Sequence, residues 1–396
     1  MQSSDRDHFF QTDASQAQQQ RKDAKAGNKN GDPVVMKSKI LAAIADPASP
    51  LTSVFIAESA GFVRCISLEL AQPKTTYRGP KTPVTCLAIG GKDGKTVFAG
   101  SWDKDIWSWD VESSRPGRRF SGHADFVKAV VCATISGRDV LISGGADKKI
   151  LVWDTETGRR LHTLQDPSTT MLAVQHLAID PVLSTADAVV FASASSDPNI
   201  RRWKIKLEGY EQLPESFHDR PDVERLTIQE HETSVYRLVY EDTSDDVDLW
   251  TASADGTAKC LARSRSFIAD DSFEHGDYVR AVAVTEQWVI TAGRDEDVKV
   301  WDRSSGKLYA TLFGHYDEIT DLVMLRDAEG TTRKVCSVGI DGTIRTWPLD
   351  KSELDDVVTK IKEASKAGPK KKEQEDKGEN LLTAEEEAEL AELMDD

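Results

Sequence analysis

Three times along this chain a His is followed by a hydroxyl residue, an Asp and a Trp. The sets are His123, Ser143, Asp147 and Trp153; His275, Thr291, Asp295 and Trp301; and His315, Ser337, Asp341 and Trp347. A His, a hydroxyl and a carboxylate are the parts of a hydrolase's nucleophile, base and orienting group. Such an enzyme carries the set once and exposes its nucleophile on a strained turn. Here the set recurs, each time with six residues from Asp to Trp, so a structural role is expected and a catalytic one is not.

Other reactive residues are sparse. Cys65, Cys86, Cys132, Cys260 and Cys336 are scattered, with no C-x-x-C pair and no His at zinc spacing, and read as free thiols of a reducing compartment. The run Asp242–Asp248 lacks the central Gly and terminal Glu of a calcium loop and reads as a solvated acidic loop. No Gly-rich phosphate loop and no H-E-x-x-H occurs. No catalytic residue, metal or cofactor is therefore expected. A formal charge of −17 argues against direct nucleic-acid binding. No apolar run reaches the ~18 residues of a membrane span. The expected setting is cytoplasmic, nuclear or both.

The elements that must position the repeated sets are themselves repeated. Ser143–Trp153 ("SGGADKKILVW") recurs as "TAGRDEDVKVW" and "SVGIDGTIRTW". Looser copies end at Trp109, Trp203 and Leu261, and the most degenerate at Ile66, giving seven copies 40–58 residues apart. Short apolar stretches alternate with Gly, Asp, Ser and Pro clusters throughout, the pattern of many short strands. Upstream pieces such as "GHADFVKAV" and "GHYDEITDL" also recur. Together these motifs resemble the WD-repeat (WD40) β-propeller family over about residues 38–350.

The resemblance implies an all-β fold, a seven-bladed propeller of four-stranded blades. It also implies that each His–Ser/Thr–Asp–Trp set is a buried hydrogen-bonded chain inside one blade. His231, Thr251 and Asp255 lack the Trp, having Leu261 instead. Ser193, Asp197 and Trp203 have Thr170 where the His would stand, Asp103 and Trp109 lack two members, and the first copy has none. The domain reading is a disordered tail over 1–32, a monomeric propeller over 33–350, a short helix over 351–367, and a charged linker with an acidic short helix over 368–396.

Propellers of this family bind partners mostly through the face where the His-bearing loops emerge. By position in the repeats, Trp102, Phe126, Lys128, Tyr236, Tyr278, Arg280 and Arg294 are expected there. Aromatic and Arg side chains dominate interface energetics. In the tail, Leu390, Leu393 and Met394 share a helical face and form a second candidate partner motif, and Lys370–Lys372 a candidate import signal. The resemblance implies a non-catalytic scaffold that assembles other proteins into a complex. Two narrower roles stand beside it: a substrate receptor of a cullin-type ubiquitin ligase, and an accessory subunit of an RNA-modifying or ribosome-assembly complex. The first is weakened by blade endings that lack W-D-x-R, the second by the acidic charge.

Overall fold

The computed structural model describes residues 20–366 apart from 21, 24, 167–169, 218–219 and 242–246. Seven four-stranded antiparallel sheets follow one another along the chain, and the fold is a seven-bladed β-propeller. The innermost strands of blades 1 to 7 are Ile40–Ala45, Val84–Gly90, Val127–Ile135, Val174–Ile179, Val235–Tyr240, Val279–Val284 and Ile319–Arg326. Blade 7 meets blade 1 directly, because Thr320 Oγ1 donates to Ile40 O at 2.9 Å.

Each blade is sandwiched between two others, so its second strand has no solvent face. Ser53–Glu58, Val189–Ser195 and Trp288–Gly293 are buried at every position. They consequently read as apolar runs rather than alternating patterns. The core lies between blades: Ile142 and Val152 of blade 3 share one cluster with Leu177 and Phe191 of blade 4. Outer strands such as Gln72–Arg78 are mostly exposed.

The turn between second and third strands is left-handed in six blades. The residue after the turn Asp, or after its counterpart Ala60, has positive φ: Gly61, Lys104, Lys148, Gly256, Glu296 and Gly342. Three are Gly, which takes that conformation freely, and three are not. Blade 4 has Pro198 there, whose ring fixes φ near −65°.

The ring is closed by the start of the chain. Val34–Val35 is the fourth strand of blade 7, paired Val34 to Ile344 and Val35 to Thr343. Met36 N donates to Gly342 O and Thr346 N to Gly31 O, each at 2.8 Å, extending the seam by one bond at either end. Part of the span expected to be a tail is thus bound to blades 6 and 7. Asn28 Nδ2 donates to Gly314 O at 2.6 Å, and Lys22 and Lys25 pair with Asp317 and Glu296, each at 2.5 Å. Residues 1–19 lie outside the described residues. The long join after blade 4 contains a hairpin of Glu215–Phe217 and Arg220–Arg225. A helix spans Lys351–Lys366, and residues 367–396, with Lys370–Lys372, Leu390, Leu393 and Met394, lie outside the described residues.

Candidate functional site

Antiparallel strands place three things at one end of every blade: the entry to the first strand, the turn between second and third, and the exit of the fourth. The His-bearing loops and Asp turns therefore gather on one face of the disc, here called the upper face.

Beneath that face run the polar chains. In blade 3, Trp153 Nε1 donates to Ser143 Oγ at 2.9 Å. Ser143 Oγ meets His123 Nε2 at 2.8 Å, and His123 Nδ1 meets Asp147 Oδ1 at 3.0 Å. Blade 7 repeats this with Trp347–Ser337 at 2.9 Å, Ser337–His315 at 2.7 Å and His315–Asp341 at 2.9 Å. Blade 6 links Trp301, Thr291, His275 and Asp295 through three contacts of 2.8 Å. The hydroxyls of Ser143, Thr291 and Ser337 belong to fully buried residues, which removes them from any substrate. The imidazole fits because a glycine stands opposite; a Cβ at Gly145 would lie 2.5 Å from His123 Nδ1.

These chains fix charge states. Burial opposes the Asp295 carboxylate, but the His275 hydrogen bond and the Lys299 ammonium outweigh it and hold the group at about 2. Asp147 and Asp341 are likewise held below the usual range, burial being overcome by their His partners. Burial lowers the pKa of His315 despite the hydrogen bond to Asp341, so its ring stays neutral.

Blade 5 keeps His231 at 2.7 Å from Thr251 and 2.8 Å from Asp255, with Leu261 filling the Trp position fully buried. Blade 4 replaces the His in a way the sequence pattern did not announce. Arg201, fully buried, donates to Asp166 at 2.6 Å, to Asp197 at 3.1 Å and to Ser195 Oγ at 3.1 Å. Thr170 is exposed and takes no such part. In blade 2, Trp107 Nε1 donates to Asp103 at 2.9 Å, while Trp109 Nε1 turns to Arg78 O at 3.0 Å. In blade 1, Arg64 pairs with Glu58 at 3.3 Å. Arg64, Trp107 and Arg201 occupy one repeat position, four residues after the turn Asp or its counterpart.

On the upper face the residues singled out from sequence form pairs. Trp102 and Phe126, 43% and 37% exposed, stack at 4.7 Å with rings 11° apart. The Arg294 guanidinium lies over Tyr278 at 5.0 Å, and Arg280 lies over Tyr236 at 4.2 Å and pairs with Glu318 at 2.9 Å. At the hub a cavity of about 610 Å³ opens, lined by Trp102, Lys128, Tyr236, Arg280 and, deeper, His176, Arg237 and Asp321. The last three were not anticipated, since a single His, Arg or Asp on an inner strand carries no motif. Among the described residues no cluster of three or more His, Cys, Asp or Glu is arranged to hold a metal ion, and no helix is long and apolar enough to cross a membrane.

Comparison with known proteins agrees with this architecture. The family model "WD domain, G-beta repeat" matches residues 71–110, 114–154 and 271–302. A WD repeat-containing protein of Schizosaccharomyces pombe is 30% identical over 411 residues, covering all of both chains. Nuclear distribution protein nudF of Aspergillus niger is 28% identical over 219 residues, covering 55% of this chain and 44% of that one. GID complex subunit 7 of S. pombe is 30% identical over 128 residues, 32% of this chain and 24% of its own. With seven blades, buried Trp-ended polar chains and a full-length relative of the same kind, this chain belongs to the WD-repeat family.

Proposed function

We propose that the protein is a non-catalytic scaffold that docks partner proteins on its upper face. The observation that carries this reading is the set of solvent-facing pairs, Trp102 on Phe126 and Arg294 on Tyr278. Aromatic and Arg side chains supply most interface energy, and ordering them in advance lowers the cost of binding. WD-repeat propellers commonly act as interaction scaffolds, and the relative named as a GID complex subunit is a member of an assembly. The test is Arg294→Glu. Because Arg294 is exposed, melting should move by less than about 0.5 kcal/mol. Partner recovery in affinity capture should fall by roughly thirtyfold, the equivalent of about 2 kcal/mol. Undiminished recovery with normal melting would remove this face from the function.

A further inference from the structure

The hub cavity carries two rings of inner-strand residues, and they treat positive charge differently. In the deep ring, Arg237 Nη1 pairs with Asp321 Oδ1 at 3.1 Å. Asp321 is buried and also accepts from Ala43 N at 3.2 Å and Leu322 N at 2.9 Å. The deep cation is thus matched by a carboxylate with its own donors, as a charge kept for structure requires.

The shallow ring is not matched. Lys128 and Arg280 both line the mouth, and Glu318 pairs with Arg280 alone. Among the described residues the half-buried Lys128 ammonium has no ion-pair or hydrogen-bond partner. Burial, and then the neighbouring Arg280, disfavour its charge, with Asp125 opposing them. A chain of net charge −17 therefore leaves an ammonium without a contact ion pair where its upper face opens. Trp102 and Tyr236 border the same opening.

We infer that the channel mouth is a docking subsite for a carboxylate side chain on a linear acidic segment of a partner protein. Lys128 takes the carboxylate, while Trp102 and Tyr236 border an apolar residue beside it. A charge-assisted hydrogen bond in a partly desolvated mouth is stronger than its exposed equivalent, and it supplies the missing counter-charge. This deepens the upper-face docking reading and rests on it.

The test pans a random dodecapeptide phage library on the full-length protein and measures selected peptides by fluorescence anisotropy. Enriched peptides should carry Asp or Glu beside an aromatic residue. Binding should weaken by about tenfold or more when that acid becomes Asn or Gln, and equally when Lys128 becomes Met or Gln. The ligand-free Lys128→Met protein should melt at or above the parent temperature, because an unmatched ammonium is gone. Peptides lacking acids, peptides indifferent to Lys128, or no enrichment would overturn the subsite. If peptides indifferent to Lys128 still lose affinity with Arg294→Glu, only the carboxylate subsite falls. If neither substitution matters, upper-face docking falls with it.

Discussion

Blades 3 and 4 stand side by side and solve one problem differently. Both bury a hydroxyl beneath a Trp, Ser143 under Trp153 and Ser193 under Trp203, each at 2.9 Å. Above it, blade 3 sets a His between hydroxyl and Asp, and its turn passes through left-handed Lys148. Blade 4 has Pro198 in that turn, no His between hydroxyl and Asp, and a buried Arg201 gripping Asp197 and Asp166. In every blade that has a turn Asp, a side-chain ring or guanidinium nitrogen meets that carboxylate, and imidazole is one way to supply it. Blade 2 agrees, since Trp107 donates to Asp103 from the position Arg201 occupies; blade 1 has Ala60 in the turn, and Arg64 there forms an ion pair with Glu58 of the second strand. The difference lies in charge. A His donor can be neutral, whereas a guanidinium never is, so blade 4 recruits a second carboxylate.

The sharpest way to break this comparison is Arg201→Met. It removes the guanidinium that Asp166 and Asp197 share, and the expected loss is about 3–5 kcal/mol by chemical denaturation. A loss under about 1 kcal/mol would mean the guanidinium is not what holds blade 4. Asp147→Ala in blade 3 takes the carboxylate from an imidazole instead and should cost about 1–3 kcal/mol, less than the Arg201 change. Reversal of that order would contradict the distinction between imidazole-built and guanidinium-built chains.

Blade 6 offers a pH-dependent refinement. Asp297 sits beside Asp295, Glu296, Lys25 and Lys299, and its pKa is raised to about 6, chiefly by burial and then by Asp295. A carboxyl raised in the folded state holds its proton more tightly there than when unfolded at 3.8. Its contribution is complete below about pH 4 and lost as pH climbs through about 6. Asp297→Asn should therefore raise stability at pH 7.5, on the order of 1 kcal/mol after solvent screening, and change little at pH 4. A gain of equal size at both pH values would assign the effect to packing. The smallest expected effect is Lys148→Gly, which relieves a left-handed non-Gly residue at φ 66° and should add up to about 1 kcal/mol. A loss would show that Lys148 contributes contacts beyond its backbone.

The seven blades were legible because a Trp or its substitute recurs at nearly fixed distance from a turn Asp. Repetition converts a weak dipeptide into a phased signal. The chains of blades 3, 6 and 7 followed from the same phasing. Arg201 escaped because the family pattern places its donor upstream as a His, while the substitute donor lies downstream on the third strand. An Arg or Trp does stand four residues after the turn residue in each blade that lacks the His, at Arg64, Trp107 and Arg201, but Arg345 holds the same place in blade 7 beside His315, so the position alone does not mark the substitution. Val34–Val35 escaped for another reason. Two residues carry no periodicity, and their partner strand lies more than 300 residues away. The pairing of Trp102 with Phe126 joins two blades, so no spacing within one repeat could announce it.

That closing seam has a consequence for how the molecule is made. Val34–Val35 leaves the ribosome early, yet its partners Thr343 and Ile344 are among the last propeller residues synthesised. At ~5–20 residues per second the short strand waits roughly 15–60 s for them. During that interval the open arc exposes the inner flank of its first and latest blades, apolar surface that the finished ring hides. The chain is therefore open to association through those flanks for the whole interval, and closure of the seam is what ends it.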